Sequence, residues 1–205
     1  PSGWLVHDTL SARLHPVMAA AALVAAIRAK GGDVVIGEAA DEGAVVWATG
    51  LAGLQDLTAD LGRFVGGGVK GQSMALRAAI AGPQIFVDGL HIVPHGDGTV
   101  AIGATSENTW EDATATDERL EALHQRAVAA LPVLQGAEVI ARWAAVRPRP
   151  KSLAPLLGAW PRRAGHFVAN GGFKIGFGMA PKVAEVMADL VLDGSDTIPE
   201  SFRLL

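Results

Sequence analysis

Residues 143–148 form the first of three segments whose residue types and spacing could do chemistry. The segment reads Trp-Ala-Ala-Val-Arg-Pro, so Arg147 closes an apolar run and precedes a proline that favours extended backbone. A guanidinium held in this way can bind a carboxylate through two parallel hydrogen bonds. The alternative is a surface arginine at the end of a strand, which is the commoner arrangement in proteins.

Residues 170–181 form the second segment, which is glycine-rich and stands between a predicted strand and a predicted helix. Glycines let main-chain N–H groups approach a planar or anionic ligand closely. The helix that follows would point the positive end of its dipole at the same place. An ordinary glycine-rich connection is the alternative, and the four glycines within residues 171–178 make it the weaker one.

Residues 44–50 form the third segment, an apolar strand that ends in Ala-Thr-Gly. This ending allows the backbone to turn sharply and to approach a ligand at the carboxyl edge of a sheet. Any parallel strand before a turn has a similar pattern, so this segment alone does not separate a binding site from a plain turn.

Helices and strands must position these three segments. Two helices are predicted at Pro16–Lys30 and Asp117–Ala130, the second with Thr116 as its cap. A third helix is predicted from Pro181 to Gly194, and all three are expected to pack through one apolar face. The predicted strands are Asp33–Ile36, Ala44–Ala48, Arg63–Val69, Gln84–Val87, His91–Pro94, Thr99–Ala104, Glu138–Arg147 and His166–Ala169.

The order of these elements predicts an α+β (mixed) fold. Residues 1–50 and 143–205 are assigned to a split α/β domain, and residues 51–142 to an antiparallel-sheet domain with a helix. A hairpin is expected around Gly96-Asp97-Gly98, since Asp-Gly suits a tight turn between apolar runs.

Composition excludes several classes of function. The 205 residues include 17 basic and 21 acidic ones, so there is no electrostatic case for nucleic-acid binding. Cysteine is absent, which excludes disulfides, thiolate metal sites and a catalytic thiol, and fits a cytoplasmic location. The longest apolar stretch, Val17–Ile27, is too short to span a membrane.

Taken together, the three segments resemble the D-amino-acid oxidase and glycine oxidase family of FAD-dependent oxidoreductases. The resemblance extends to Val69-Lys70-Gly71-Gln72, to the hairpin formed by Ile92-Val93-Pro94 and residues 100–105, and to the closing Ser201-Phe202-Arg203. It implies that residues 51–142 are a substrate-binding domain. Residues 1–50 and 143–205 would then be parts of an FAD-binding domain.

The resemblance also implies roles for individual residues. Arg147 matches the arginine that binds the substrate carboxylate, and Lys174 stands where glycine-oxidase-like members carry a second arginine. His91 stands where they carry a pocket tyrosine, and Ser106 matches another pocket-lining position. The implied FAD contacts are Thr49, Gly50, Leu51, Gly172, Phe173, Lys174, Ile175, Gly176, Phe177 and Gly178. Because positions 91 and 174 differ from the family, its specificity for glycine is not implied.

The function implied by the resemblance is FAD-dependent oxidation of an amine or amino acid. Hydride would pass from the α-carbon to the flavin, the imine would hydrolyse, and oxygen would reoxidise the flavin with release of peroxide. No protein acid or base is required, because the cofactor carries the chemistry. Two alternatives stay open: a flavin dehydrogenase that passes electrons to a quinone or a protein, and a non-catalytic small-molecule binding domain.

One departure from the family concerns the N-terminal dinucleotide-binding segment. The sequence has no Gly-x-Gly-x-x-Gly after an N-terminal strand, and it starts with Pro1 rather than Met. We therefore expect that the chain was cut or is half of a longer one, with the missing segment as its partner. The 205 residues alone are expected to be colourless and inactive. They are also expected to expose apolar surface that favours a homodimer or aggregation.

Two further patterns are judged to be structural. His91 and His95 are four residues apart with Asp97 nearby, but a metal site needs a fuller ligand set, so none is predicted. Residues 107–112 are predicted to be a solvated acidic loop.

Overall fold

The computed structural model describes residues 3–204. Its helices are α1 (Pro16–Ala29), α2 (Gly50–Leu61), α3 (Glu118–Ala130) and α4 (Gly176–Asp193), with short 3-10 turns at Pro132–Leu134 and Glu200–Phe202. Its strands are β1 (Val45–Trp47), β2 (Gly66–Arg77), β3 (Ile85–Val87), β4 (Leu90–Pro94), β5 (Thr99–Gly103), β6 (Glu138–Pro150), β7 (Leu156–Ala159) and β8 (His166–Asn170).

The strands form two sheets, and the fold is mixed α+β as predicted. One sheet has the order β3-β4-β5-β2-β6, and its pairs β3–β4, β4–β5 and β5–β2 are antiparallel. The predicted hairpin is confirmed, because Pro94 of β4 pairs with Val100 of β5 on either side of the Gly-Asp-Gly turn. The second sheet has the order β1-β8-β7, in which β1 runs parallel and β7 antiparallel to β8.

The chain divides into two compact units. Unit 1 comprises the chain up to Glu38 together with Ser73–Ala104 and Asp117–Arg142. Unit 2 comprises Ala39–Gln72, Thr105–Thr116 and the chain from Trp143 onward. Strands β2 and β6 contribute residues to both units. The assignment of residues 51–142 to substrate binding stays a prediction.

Unit 1 is built on the antiparallel sheet and α3. Asp117 caps α3 by accepting a hydrogen bond from the Arg119 backbone N–H, so the cap lies one residue after the predicted Thr116. The core contains one face of α3 and the inward residues of three strands. Its buried members are Met74, Leu76, Leu90, Ile92, Val100, Ile102, Leu120, Leu123, Ala127 and Leu134.

Unit 2 is built on the sheet that contains β1, β8 and β7. The indole N–H of Trp47 donates to Nδ1 of His166 at 2.9 Å and joins the end of β1 to the start of β8. Helices α2 and α4 supply apolar side chains to two clusters. The first cluster is Leu54, Leu57, Val65, Leu156, Trp160 and Val168, and the second is Leu157, Val186, Met187 and Ile198.

Helix α1 corrects one prediction. It has no buried residue, and the side chains of Val17 and Leu23 are 73% and 62% exposed. Its alanine-rich sequence favours a helix by intrinsic propensity alone, which does not decide whether another element covers it. The segment Asp33–Ile36 was predicted as a strand but forms none, and its Val35 and Ile36 are exposed. None of the helices described in residues 3–204 has the length and apolar character needed to cross a bilayer.

Candidate functional site

A cavity of about 250 Å³ lies in unit 2, where the parallel strands β1 and β8 end side by side. Ligands of α/β sheets commonly bind beyond the carboxyl ends of such strands. The turn after β1 and the loop after β8 both reach the cavity, as do the start of α4 and the end of β6. The lining residues include Ala48, Gly50, Pro148, Asn170, Gly171, Gly172, Gly176 and Met179.

Asn170 fastens the two loops that border this cavity. Its Nδ2 donates to the backbone oxygen of Gly50 at 2.8 Å, and its Oδ1 accepts from the backbone N–H of Gly171 at 2.7 Å. Gly53 of α2 allows this arrangement, because a side chain at that position would collide with both Thr49 and Asn170. The buried Asn170 therefore fixes the β1–α2 turn against the β8–α4 loop.

The loop between β8 and α4 has a conformation that requires glycine. Gly171 has a φ of 80°, and a side chain there would also collide with the ring of Pro150. A Cβ on Gly172 would lie 2.7 Å from the Cα of Gly176. The backbone therefore carries no side chain at Gly171 and Gly172, which border the cavity, and its approach to a flat ligand stays a prediction.

Two helices, α2 and α4, begin at the cavity. Neither N-cap residue, Thr49 for α2 and Ile175 for α4, makes a side-chain capping hydrogen bond. The first N–H groups of a helix have no intrahelical partner, so they favour an anionic group at both places. The sequence predicted a single helix start, at Pro181. In the structure α4 begins at Gly176 and contains Pro181, and α2 was not predicted.

Arg147 lies near the end of β6 and is half-buried. Its guanidinium packs directly against Gly71 of β2, where any side chain would collide with it. Its NH1 donates to the backbone oxygen of Thr105 at 3.4 Å. Burial lowers the pKa of Arg147 and the carboxylate of Glu107 opposes that change, but an arginine of this kind stays charged. The next residue, Pro148, lines the cavity.

A network of buried polar side chains lies near Arg147, and the sequence did not predict it. Lys70, Gln72 and Glu107 are only 4%, 0% and 7% exposed. Lys70 Nζ lies 4.0 Å from Glu107 Oε2 and donates to the backbone oxygen of Asp112 at 2.8 Å. Gln72 Nε2 donates to Glu107 Oε1 at 3.0 Å. The prediction that residues 107–112 are wholly solvated is therefore wrong at Glu107.

The remaining predicted substrate contacts are exposed. Lys174 and Ser106 are both exposed in unit 2, and Lys174 Nζ lies 5.6 Å from the ring centroid of Phe173. His91 lies in unit 1, where its ring centroid is 4.6 Å from that of Phe86. Of the predicted FAD contacts, Gly50, Gly172 and Gly176 line the cavity. The lining of the cavity does not include the other predicted contacts, which are Thr49, Leu51, Phe173, Lys174, Ile175, Phe177 and Gly178.

The histidines that could have suggested a metal make other contacts. His95 packs on His15, with ring centroids 4.4 Å apart, and His15 Nε2 lies 3.6 Å from Asp97 Oδ2. Within residues 3–204 no group of three or more His, Cys, Asp or Glu side chains is arranged to hold a metal ion.

The residues around the cavity fit part of a flavin cofactor. A bare glycine surface, an apolar rim and two uncapped helix starts suit a flat ring that becomes anionic on reduction. Gly50, Gly172 and Gly176 would contact the ring, and the first N–H groups of α2 and α4 would face its anionic part. The cavity is smaller than the range of about 300–1,000 Å³ that is typical of complete ligand sites, so it suits part of the cofactor.

Comparisons with known proteins agree on one family. The family described as DAO, FAD dependent oxidoreductase, matches residues 2–190. The glycine oxidase of Pseudomonas putida is 33% identical over 132 residues, which are 63% of this chain and 36% of that enzyme. The glycine oxidase of Geobacillus kaustophilus is 35% identical over 127 residues, 60% of this chain and 33% of that enzyme.

Solved structures give the same result. The crystal structure of the Geobacillus kaustophilus glycine oxidase matches 79% of this chain and 45% of its own chain, with a TM-score of 0.68 and 31% identity. The iminodiacetate oxidase of Chelativorans shares the fold, with a TM-score of 0.71 and 24% identity over 82% of this chain and 47% of its own. The matched residues thus span about a third of the length of these two curated glycine oxidases.

Proposed function

The chain belongs to the DAO family of FAD-dependent oxidoreductases, and on that premise we propose that the full-length protein oxidises an amine carbon beside a carboxylate. The substrates would be small amino acids or related amines. This proposal is supported by the names of relatives, several of which are glycine oxidases.

The observation that carries the proposal is the position of Arg147. Its half-buried guanidinium lies against Gly71, while its neighbour Pro148 lines the cavity at which α2 and α4 begin. A desolvated guanidinium binds a carboxylate more strongly than an exposed one, and its planar fork fixes the orientation of the bound acid. In this proposal, a substrate held by its carboxylate at Arg147 presents its α-carbon to the flavin.

Bound FAD would supply the redox chemistry by accepting a hydride from the α-carbon. The chain's own residues would bind and orient the substrate, which converts a bimolecular encounter into a positioned one. Arg147 would hold the carboxylate, and Lys174 would add a second positive charge. Ser106 would line the pocket, and the role of His91, which lies in unit 1, stays a prediction. The substrate amine would react in its neutral form, and the imine product would hydrolyse to an oxo acid and an amine or ammonia.

We propose oxygen as the final electron acceptor, which would be reduced to hydrogen peroxide. The test uses the full-length natural protein, purified with its bound FAD. Oxygen uptake and peroxide release are measured with glycine, sarcosine and a panel of D-amino acids. Reduction of a quinone without oxygen uptake would instead favour a dehydrogenase, and absence of flavin from the full-length protein would favour a non-catalytic binding domain.

The first prediction concerns Arg147→Ala in the full-length protein. Loss of a buried charge-assisted pair should remove about 2–4 kcal/mol of transition-state binding, or roughly 30- to 1,000-fold in kcat/KM. Arg142→Ala is the matched control, because Arg142 is an exposed arginine of the same strand, 3.9 Å from Glu121. Equal kcat/KM values for the parent and Arg147→Ala would contradict the assignment.

A further inference from the structure

We infer that Glu107 is a positioning residue, which orients Arg147 through Thr105 before a substrate carboxylate arrives. The inference rests on the proposed function, because it assumes that Arg147 receives the carboxylate. Glu107 would be the residue that holds this arginine in place. An arginine side chain carries about 2 kcal/mol of rotamer entropy, so a site that fixes it beforehand binds more tightly.

The first step is the fixation of Glu107 itself. Its backbone pairs with that of Lys70 in an antiparallel bridge. Each backbone nitrogen lies 2.9 Å from the carbonyl oxygen of the other residue. Glu107 Oε2 lies near Lys70 Nζ, and Glu107 Oε1 accepts a hydrogen bond from Gln72 Nε2. Lys70 and Gln72 stand two residues apart on β2, so both side chains point to the same face of the strand. A buried carboxylate with these partners has little freedom to move.

The second step is the fixation of Thr105 by Glu107 and Gln72. The Thr105 hydroxyl donates to Glu107 Oε1 and accepts from the backbone N–H of Gln72 at 2.8 Å. The Thr105 backbone N–H donates to the oxygen of Gln72 at 3.1 Å. Three hydrogen bonds therefore set the orientation of this residue, and with it the direction of its carbonyl group.

The third step is the contact with Arg147. The fixed Thr105 carbonyl accepts from Arg147 NH1, while Gly71 provides a flat surface for the guanidinium. One bond to a carbonyl uses one of the five N–H donors of the guanidinium and adds no charge to it. Glu107 thus sets the position of the cation through a neutral residue, and the fork keeps donors for a ligand.

The test measures binding of acetate, a simple carboxylate, to the FAD-loaded full-length protein by calorimetry. Thr105→Val removes the hydroxyl and should raise the acetate Kd about tenfold, the lower end of what loss of an outer-layer orienting group costs at metal sites. Thr105→Ser keeps the hydroxyl and should restore the parent Kd. With substrate, KM should rise by a larger factor than kcat falls, because the loss is one of carboxylate binding.

Thr58→Val is the matched control. Thr58 is also partly buried in unit 2, where its hydroxyl donates to the oxygen of Leu54 and accepts from the N–H of Val65. This variant should lose thermal stability and keep the parent Kd for acetate. If Thr105→Val does not fold, Thr105→Ala makes the same loss without added bulk. An acetate Kd within about twofold of the parent in either folded Thr105 variant overturns the inference, since that is well below the expected outer-layer effect.

Glu107→Gln tests the contact between the Glu107 carboxylate and the Thr105 hydroxyl. A neutral amide is a weaker acceptor than a carboxylate, so Thr105 is held less firmly and the acetate Kd should rise. A lower Kd would mean that Glu107 competes with the ligand for Arg147, which overturns the inference. Arg147→Met separates this result from a failure of the proposed function. If that variant binds acetate like the parent, the carboxylate site itself is wrong. If it loses acetate while the Thr105 variants do not, only the positioning role is wrong.

Discussion

At the scale of single residues, the placement of Arg147 depends on a glycine. Gly71 is buried in β2, and the guanidinium occupies the space that any larger residue would need for its own side chain. The guanidinium is the far end of a flexible side chain, so a new methyl group would displace it rather than break the sheet. Gly71 is therefore expected to matter for ligand binding much more than for folding.

Gly71→Ala should raise the acetate Kd of the full-length protein about tenfold, a cost similar to that of losing an orienting group, while Tm changes little. Gly67→Ala on the same strand is the control. A Cβ there would meet the ring of Phe64 at an ordinary contact distance of 3.6 Å. Calorimetry gives the Kd, and thermal unfolding gives Tm. Similar acetate affinities in the two variants would disprove the role of Gly71.

The sequence singled out Arg147 as a candidate site residue but predicted that Glu107 is exposed, and this difference has a physical reason. An arginine at the end of an apolar run and before a proline is unusual enough locally to be singled out. Glu107 stands in the polar run Thr-Ser-Glu-Asn, which predicts exposure. Its burial depends on Lys70 and Gln72, which lie more than thirty residues away in the chain. One local signal existed, since Lys70 and Gln72 alternate with small or apolar residues directly after the predicted strand Arg63–Val69.

At the scale of elements, several periodic segments were predictable, whereas some glycine-containing ones were not. Strand β2 is one of these, because it continues to Arg77, eight residues beyond the predicted Arg63–Val69. The predictions for α3 and for the β4–β5 hairpin agree with the structure within a residue or two. Helix α2 was missed because Gly50 and Gly53 lower its helix propensity. The same two glycines are needed there, Gly50 for its φ of 62° and Gly53 for its approach to Asn170. Strand β7 was missed as well, because Gly158 interrupts its short apolar run.

Gly171→Ala should destabilise the loop between β8 and α4. Its φ of 80° disfavours any other residue, and the new methyl group would collide with Pro150, so a loss of about 1–3 kcal/mol is expected. Gly178→Ala is the control, because that position is helical and nothing lies within 4 Å of its Cβ. Thermal unfolding of the full-length protein compares the two. A Tm for Gly171→Ala equal to that of Gly178→Ala would refute this account of the loop.

At the scale of the whole molecule, the described part of the first 38 residues is almost entirely exposed although it is rich in apolar side chains. Contiguous exposed apolar surface usually marks a place where something else binds. The exposed fractions are 88% for Trp4, 86% for Leu5, 91% for Val6, 96% for Leu10, 73% for Val17 and 62% for Leu23. These values agree with the expectation that the chain on its own exposes apolar surface.

The 205-residue chain purified alone is therefore expected to be colourless and inactive, and to bind a dye that detects apolar surface. The reason is that its cavity of about 250 Å³ suits only part of FAD, so little binding energy is available. Absorbance near the flavin bands, dye fluorescence and light scattering measure the three properties. A yellow preparation with one FAD per chain would show that these residues hold the cofactor unaided.

The pairing of β1 with β8 has a consequence for synthesis of the protein. Trp47 is hydrogen-bonded to His166, which lies 119 residues later in the chain. The core of unit 1, by contrast, is made from residues 74–134. At a translation rate of about 5–20 residues per second, a ribosome needs roughly 6 to 24 s to add those 119 residues. Throughout that interval β1 has no parallel neighbour, while all residues of the unit 1 core, 74–134, are synthesised before His166. The nascent chain must therefore keep an apolar strand from premature association until its C-terminal portion emerges.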